Sequence, residues 1–236
     1  MRINADFSER VVIETGRQPW TASPSPGVER IMLDRLGGEV ARATSLVRFA
    51  PGSAFPRHAH GGGEEFLVLD GVFSDEDGDF GPGSYIRNPV GTAHAPHTKE
   101  GTTIFVKLWQ FQRGDDAQVR IDTRNSTFVP GLVEGLRVLP LHEFGTESVA
   151  LVRWAPGTRF HRHSHFGGEE IYVLEGTFQD EHGSYSAGTW IRNPHESVHT
   201  PYSQDGCLIY VKVGHLSADN GTINEPSAQV GDRIRF

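Results

Sequence analysis

Two histidines one residue apart, His58 and His60, are followed by three glycines and the carboxylates Glu64 and Glu65, with His94 further on. Imidazole nitrogens and carboxylate oxygens are the donors that hold divalent transition metals. The chain carries this set twice. His163, His165, Glu169 and Glu170 recur at the same spacing, and His199 stands in the place of His94. In extended chain, side chains alternate faces, so His58 and His60 point the same way. Glu64 keeps that parity across the glycine bend and Glu65 does not. The expected ligands are therefore His58, His60, Glu64 and His94 in one copy, and His163, His165, Glu169 and His199 in the other. An isolated pair of nearby histidines more often serves other roles of imidazole. Here all four positions survive in both copies, while neighbours such as Ala59/Ser164 and Val90/His195 differ. That retention favours one divalent metal per copy. Zinc is the expected ion, with iron, manganese or nickel as alternatives.

The elements around these residues must bring a distant histidine back to the first pair. Residues 48–111 align with residues 153–216 without a gap, and nearly half the positions are identical. A repeat of this length means two whole domains and not a solenoid. Within each, short apolar runs are separated by Gly, Pro and Asp turns, and no helical periodicity is sustained. This predicts an all-β fold of two tandem barrels or sandwiches. Strands are expected over Val28 to Leu33, Ala41 to Phe49 and Glu64 to Leu69, with Asp70-Gly71 as a hairpin turn. The expected divisions are an N-terminal arm (1–25), a first domain (26–114), a polar connector (115–132), a second domain (133–218) and a C-terminal tail (219–236).

The chain of 236 residues has a net charge of −8 and no Lys/Arg-rich run, so neither nucleic acid nor a membrane surface is an expected partner. Its single cysteine, Cys207, allows no internal disulfide. With no apolar leader at the N-terminus, this points to a cytoplasmic protein. A small molecule is the expected partner. Homo-oligomerisation is left open.

The segment Gly52-x5-His58-x-His60-x3-Glu64-x6-Gly71 resembles the first cupin motif, and Gly83-x5-Pro89-x-Gly91-x2-His94 the second, with Thr98 in place of the usual closing Asn. The second copy repeats the first motif from Gly157 to Gly176, but Glu196 replaces the turn glycine of its second motif. The Gly-Gly-Glu-Glu run, Phe73-Ser-Asp-Glu76 and Ile86-Arg-Asn-Pro89 are further similar to the cupin domain of the ChrR anti-sigma factors. The resemblance implies a bicupin of two double-stranded β-helix (jelly-roll) barrels with one metal in each. ChrR proteins hold their sigma factor through an N-terminal zinc domain with a His-x3-Cys-x2-Cys pattern. Residues 1–45 carry no cysteine, so a sigma factor is not expected as a partner. What the resemblance then implies is a small-molecule or stress-response sensor. The alternative is a mononuclear non-heme metal-dependent dioxygenase acting on a small diketone or aromatic ketone, as in other members of this subgroup. No catalytic residue beyond the metal ligands follows from the sequence.

Other features carry plainer expectations. Arg87 and Arg192 should pair with Asp75-Glu76 and Asp180-Glu181. Lys107 and Lys212 should lie on the outer barrel faces. His161 reads as a rim residue and Cys207 as a small buried one. Trp109, Trp154, Trp190 and Phe111 read as core or interface. Glu65 and Glu170 are either bonded to a ligand imidazole or solvated.

Overall fold

The computed structural model describes residues 1–216; the tail from 219 to 236 lies outside the described residues. These residues are almost wholly β, with one short 3-10 turn, Thr15–Arg17, and no helix long and apolar enough to cross a membrane. The chain forms two compact units. The first comprises Met1–Ala5 and Gln18–Ser126, and the second Asp6–Arg17 and the described residues from Thr127 onward.

In the first unit the main sheet runs in the order Arg2–Ile3, Val28–Gly37, Ala41–Phe49, Thr102–Leu108, Glu64–Gly71, Ser84–Asn88 and Val119–Asp122. A small second sheet pairs His58–Ala59 with Ala93–His94. In the second unit the order is Val129–Pro130, Leu136–Phe144, Glu147–Trp154, Cys207–Val213, Glu169–Asp180, Thr189–Asn193 and Val11–Glu14, and His163–His165 pairs with Ser197–His199. The sheets are antiparallel throughout, so each strand shows one face to the barrel interior and one outward. Phe66, Val68, Ile104 and Val106 form the core of the first unit, and Ile171, Val173, Ile209 and Val211 that of the second.

The polar segments flanking the barrels are not plain loops. Val11–Glu14 lies within the arm at 1–25 and Val119–Asp122 within the connector at 115–132. They make equivalent pairings, Val11 opposite Arg192 and Val119 opposite Arg87. The residues before the first barrel thus complete the second unit, and those before the second barrel complete the first. Thr15 and Thr123 close the two edges alike, their hydroxyls donating to the carbonyls of Gly188 at 2.7 Å and Gly83 at 2.6 Å.

Asp70-Gly71 is not a hairpin turn. Glu64–Gly71 continues to its end as one strand, bent by a bulge at Leu69, and the second unit repeats this at Leu174 inside Glu169–Asp180. Gly71 is required because a Cβ there would lie 2.0 Å from the Gly101 carbonyl oxygen; at Gly176 the corresponding distance, to Gly206, is 2.1 Å. The bulge adds local twist, which lets one strand serve two sheets.

Candidate metal centres

Strand register brings the histidines together. His58 lies opposite His94, and His163 opposite His199, at the directly paired positions of the small sheets. Opposed Cβ atoms in such pairs stand about 5 Å apart. Glu64 and Glu169 open the next long strands, opposite Asn88 and Asn193. In each unit the ligand atoms of the three histidines lie within 4.8 Å of one another. Glu64 Oε2 is 3.4 Å from His60 Nε2 and 3.5 Å from His94 Nε2. Glu169 Oε2 is 3.5 Å from His165 Nε2 and 3.7 Å from His199 Nε2, and those two nitrogens are 3.0 Å apart. Two donors each about 2.1 Å from one ion stand roughly 3.0 Å apart at a right angle and about 3.4 Å apart at a tetrahedral one. The observed separations match the edges of a coordination polyhedron.

Hydrogen bonds fix which nitrogen each ring turns inward. Thr92 Oγ1 donates to the Pro89 carbonyl at 2.7 Å, so at 2.8 Å it accepts from His60 Nδ1. His94 Nδ1 donates to Asp75 Oδ2 at 3.1 Å, His58 Nδ1 to the Pro56 carbonyl at 3.2 Å and His163 Nδ1 to the His161 carbonyl at 2.9 Å. His199 Nδ1 donates to Asp180 Oδ2 at 3.4 Å. With Nδ1 holding the proton, each of these rings presents a bare Nε2. His60 Nε2 and His94 Nε2 are buried with no hydrogen-bond partner. A buried acceptor left this way is costly unless something else occupies it, a place that a metal ion would fill. Burial favours the neutral form that ligation needs at three of these rings. It lowers the pKa of His60 and His165, and that of His163 to about 4. At His199 burial is outweighed by the Glu169 charge and the Asp180 hydrogen bond, which raise the pKa.

Some functional contacts were not anticipated. Asn88 Nδ2 donates to Glu64 Oε2 at 3.1 Å, and Asn193 Nδ2 to Glu169 Oε2 at 2.8 Å. Both asparagines recur in the duplicated Ile-Arg-Asn-Pro segments, and that recurrence was the available signal. Asp75 and Asp180 hold the ligand imidazoles and do not pair with Arg87 and Arg192. Glu76 and Glu181 instead accept from the backbone of Ala95 at 2.9 Å and Thr200 at 2.8 Å, pinning the chain just past each ligand histidine.

Several plainer expectations change as well. Arg87 is buried between Glu65 at 3.4 Å and Asp115 at 2.9 Å. Arg192 lies over the Phe7 ring and donates to the Asp6 carbonyl at 2.6 Å. Strand parity turns these arginines and Glu65 to the face away from the ligands. Glu170 bonds Trp190 Nε1 at 3.2 Å and His215, so neither Glu65 nor Glu170 is solvated or bonded to a ligand imidazole. Lys107 and Lys212 are fully buried, bonded to Thr44 at 3.0 Å and Glu147 at 2.8 Å. Trp154 and Trp190 are core residues, whereas Trp109 is 46% exposed. It packs flat over Gly61 and Gly62, where a Cβ would lie 3.0 Å and 2.2 Å from its ring. His161 is exposed and stacks on Phe160 at 4.1 Å. Cys207 is buried, with its thiol pushed up to about 11 by that burial.

The second unit also encloses a cavity of about 130 Å³ beside its histidines. His163, His165, Glu169 and His199 form one wall, and Leu136, Val152, Trp154, Phe160 and Phe178 are among the apolar residues of the others. No arginine or lysine lines it.

Two antiparallel β units, each gathering three histidines and a glutamate at the end of its barrel, define a tandem cupin. The ChrR Cupin-like domain matches residues 8–112 and again 116–217, and the chain belongs to that family. Both matches begin before the barrels, at the segments that carry the exchanged edge strands. No curated protein sequence matches the chain. Among solved structures it is similar to the Nostoc punctiforme "putative dioxygenase", with 16% identity, a TM-score of 0.73 and coverage of 93% of this chain and 88% of that one. It is also similar to the Bacillus subtilis oxalate decarboxylase (14%, TM-score 0.60, 86% and 76% covered). A third is the Leptotrichia buccalis cupin 2 conserved barrel domain protein (12%, TM-score 0.59, 86% and 95% covered). At these identities the likeness is one of fold.

Proposed function

We propose that each unit holds one divalent metal on its three histidines and glutamate, and that the second unit is a mononuclear non-heme dioxygenase site for a small diketone or aromatic ketone. The cavity walled by His163, His165, Glu169 and His199 carries this reading. Its volume is below that of a drug-sized pocket but close to the roughly 150 Å³ of an apolar cavity that takes up benzene. Its walls are mostly apolar, with Glu143 and Glu147 also in the lining. A lining without cations offers a carboxylate substrate no partner of its own, which favours a neutral carbonyl compound. The bound metal would supply Lewis acidity and, if redox-active, electrons. The chain's own residues do the rest. Asp180 and the His161 carbonyl hold the His199 and His163 rings with Nε2 inward, Asn193 orients Glu169, and the aromatic walls exclude water.

A second reading, a zinc-bearing small-molecule or stress-response sensor, draws on membership of the ChrR Cupin-like family. Metal analysis of protein purified without added metal, together with oxygen uptake over a panel of diketones and aromatic ketones, separates the two. Iron or another redox-active metal with oxygen consumption supports the oxygenase. Stoichiometric zinc and no uptake on any ketone overturns it in favour of the sensor.

A further inference from the structure

Each ligand glutamate ends a chain of hydrogen bonds that begins on an arginine of the exchanged edge segment. In the second unit Arg10 Nε donates to Asn193 Oδ1 at 2.9 Å, and Asn193 Nδ2 donates to Glu169. In the first unit Arg120 donates to Asn88 Oδ1 at 2.7 Å, and Asn88 Nδ2 donates to Glu64. The guanidinium groups occupy matching places, 5.4 Å over the Tyr185 ring and 5.7 Å over the equivalent Phe80 ring. They reach those places from different positions in the repeat. Arg120 pairs with Ile86 as Val12 pairs with Ile191, so the counterpart of Arg120 is Val12, two residues beyond Arg10. Positions two apart on extended chain share a face, which lets either one supply the cation.

The arginine decides the sense of the asparagine amide. An amide can offer a carboxylate either its NH2 or its oxygen, and the wrong choice sets oxygen against oxygen. A guanidinium can only donate, so it captures Oδ1 and turns Nδ2 toward the glutamate. Arg10 does more than Arg120. It also donates to Asp180 at 3.4 Å and to the Tyr185 hydroxyl at 2.7 Å, and Tyr185 in turn donates to Asp180 at 2.8 Å. Arg10 therefore holds the partners of two ligands, Glu169 and His199. Arg120 instead makes its other side-chain contact with Asp77 at 3.1 Å.

We propose that Arg10 and Arg120 are positioning residues for the two metal centres, so that the segment preceding the first barrel sets the affinity of the second unit's centre. This rests on the metal reading above. The test uses full-length protein with one centre cleared at a time, by His58→Ala/His60→Ala or by His163→Ala/His165→Ala. Each is titrated with Co²⁺ and followed by its visible absorption band. Arg10→Ala should weaken Co²⁺ binding by the second unit by about 10-fold, the lower end of the range found when direct partners of metal ligands are removed, because Arg10 acts through those partners. It should shift that band and leave the first unit within twofold of its parent. Arg120→Ala should do the reverse. Adding Val12→Arg to Arg10→Ala should restore affinity and band, because it moves the cation to the register that Arg120 uses; Val12 is 40% exposed and has room for the change. Unchanged second-unit affinity and band in Arg10→Ala would overturn the proposal. So would equal weakening of both centres, which would mark a general loss of fold. A parent protein that takes up no Co²⁺ would bring down the metal reading itself, a result distinct from either of these.

Discussion

Glu196 holds the left-handed backbone conformation, with φ of +60°, at the turn that Gly91 fills at +90° in the first unit. The turn leading to His199 is therefore kept although the glycine is gone, and the ligand remains opposite His163. A non-glycine residue in this region costs about 1 to 2 kcal/mol, and glycine returns part of that as backbone entropy. Glu196 is exposed, and its nearest ionic partner is His195 at 3.7 Å. Glu196→Gly should thus stabilise the second unit by up to about 1 kcal/mol, raising its melting temperature by up to roughly 4–8 °C. Thermal unfolding of the two proteins with metal removed checks this. A lower melting temperature for Glu196→Gly would contradict the strain.

Each centre should lose its metal independently. His60→Ala and His165→Ala should each remove about one metal equivalent, and the double variant should remove both. Elemental analysis of dialysed protein reads the stoichiometry directly. Undiminished metal in both single variants would refute the ligand assignment.

Filling the cavity should separate ligand binding from metal binding. Val211 is buried in the cavity wall. Val211→Phe projects a ring into the space and should abolish oxygen uptake on any ketone that the parent consumes, while metal content stays at the parent level. A measured melting temperature guards against overpacking, which costs typically 1–3 kcal/mol. Full activity in a folded Val211→Phe protein would place the substrate elsewhere.

Cys207 should be inert in the folded protein. Burial raises its thiol from 9.0 to about 11, so the folded state keeps the proton that the unfolded state releases first. The resulting stability is fully present below about pH 9 and is lost as the pH climbs toward 11. Alkylation by iodoacetamide at pH 8 should be slow in native protein and fast in urea. Rapid native labelling would show that the thiol is not held in this way.

Much of the site was legible before any folding. Strict spacing in two copies marks the eight candidate ligands, and parity selects Glu64 over Glu65 because the two faces of a strand are chemically distinct. In space, Glu64 lies beside His60 and His94 while Glu65 turns to Arg87. The all-β class follows from short apolar runs between turn residues. Less was legible in the polar segments. Val11–Glu14 and Val119–Asp122 are only four residues each, too short for a pattern to stand out, and their partners lie far along the chain.

Sequence by itself determined the duplication, the β architecture, the two sets of candidate ligands and the motif departure at Glu196, because each is written in local spacing and repetition. Tertiary structure decided which nitrogen each imidazole turns inward, that Asn88 and Asn193 hold the glutamates, and that Arg10, 183 residues from Asn193, serves the second centre. Those contacts come from cross-strand register and from edge strands exchanged between repeats. Arg10 and Arg120 also escape alignment of the repeats, because they fill one place in space from two positions in sequence.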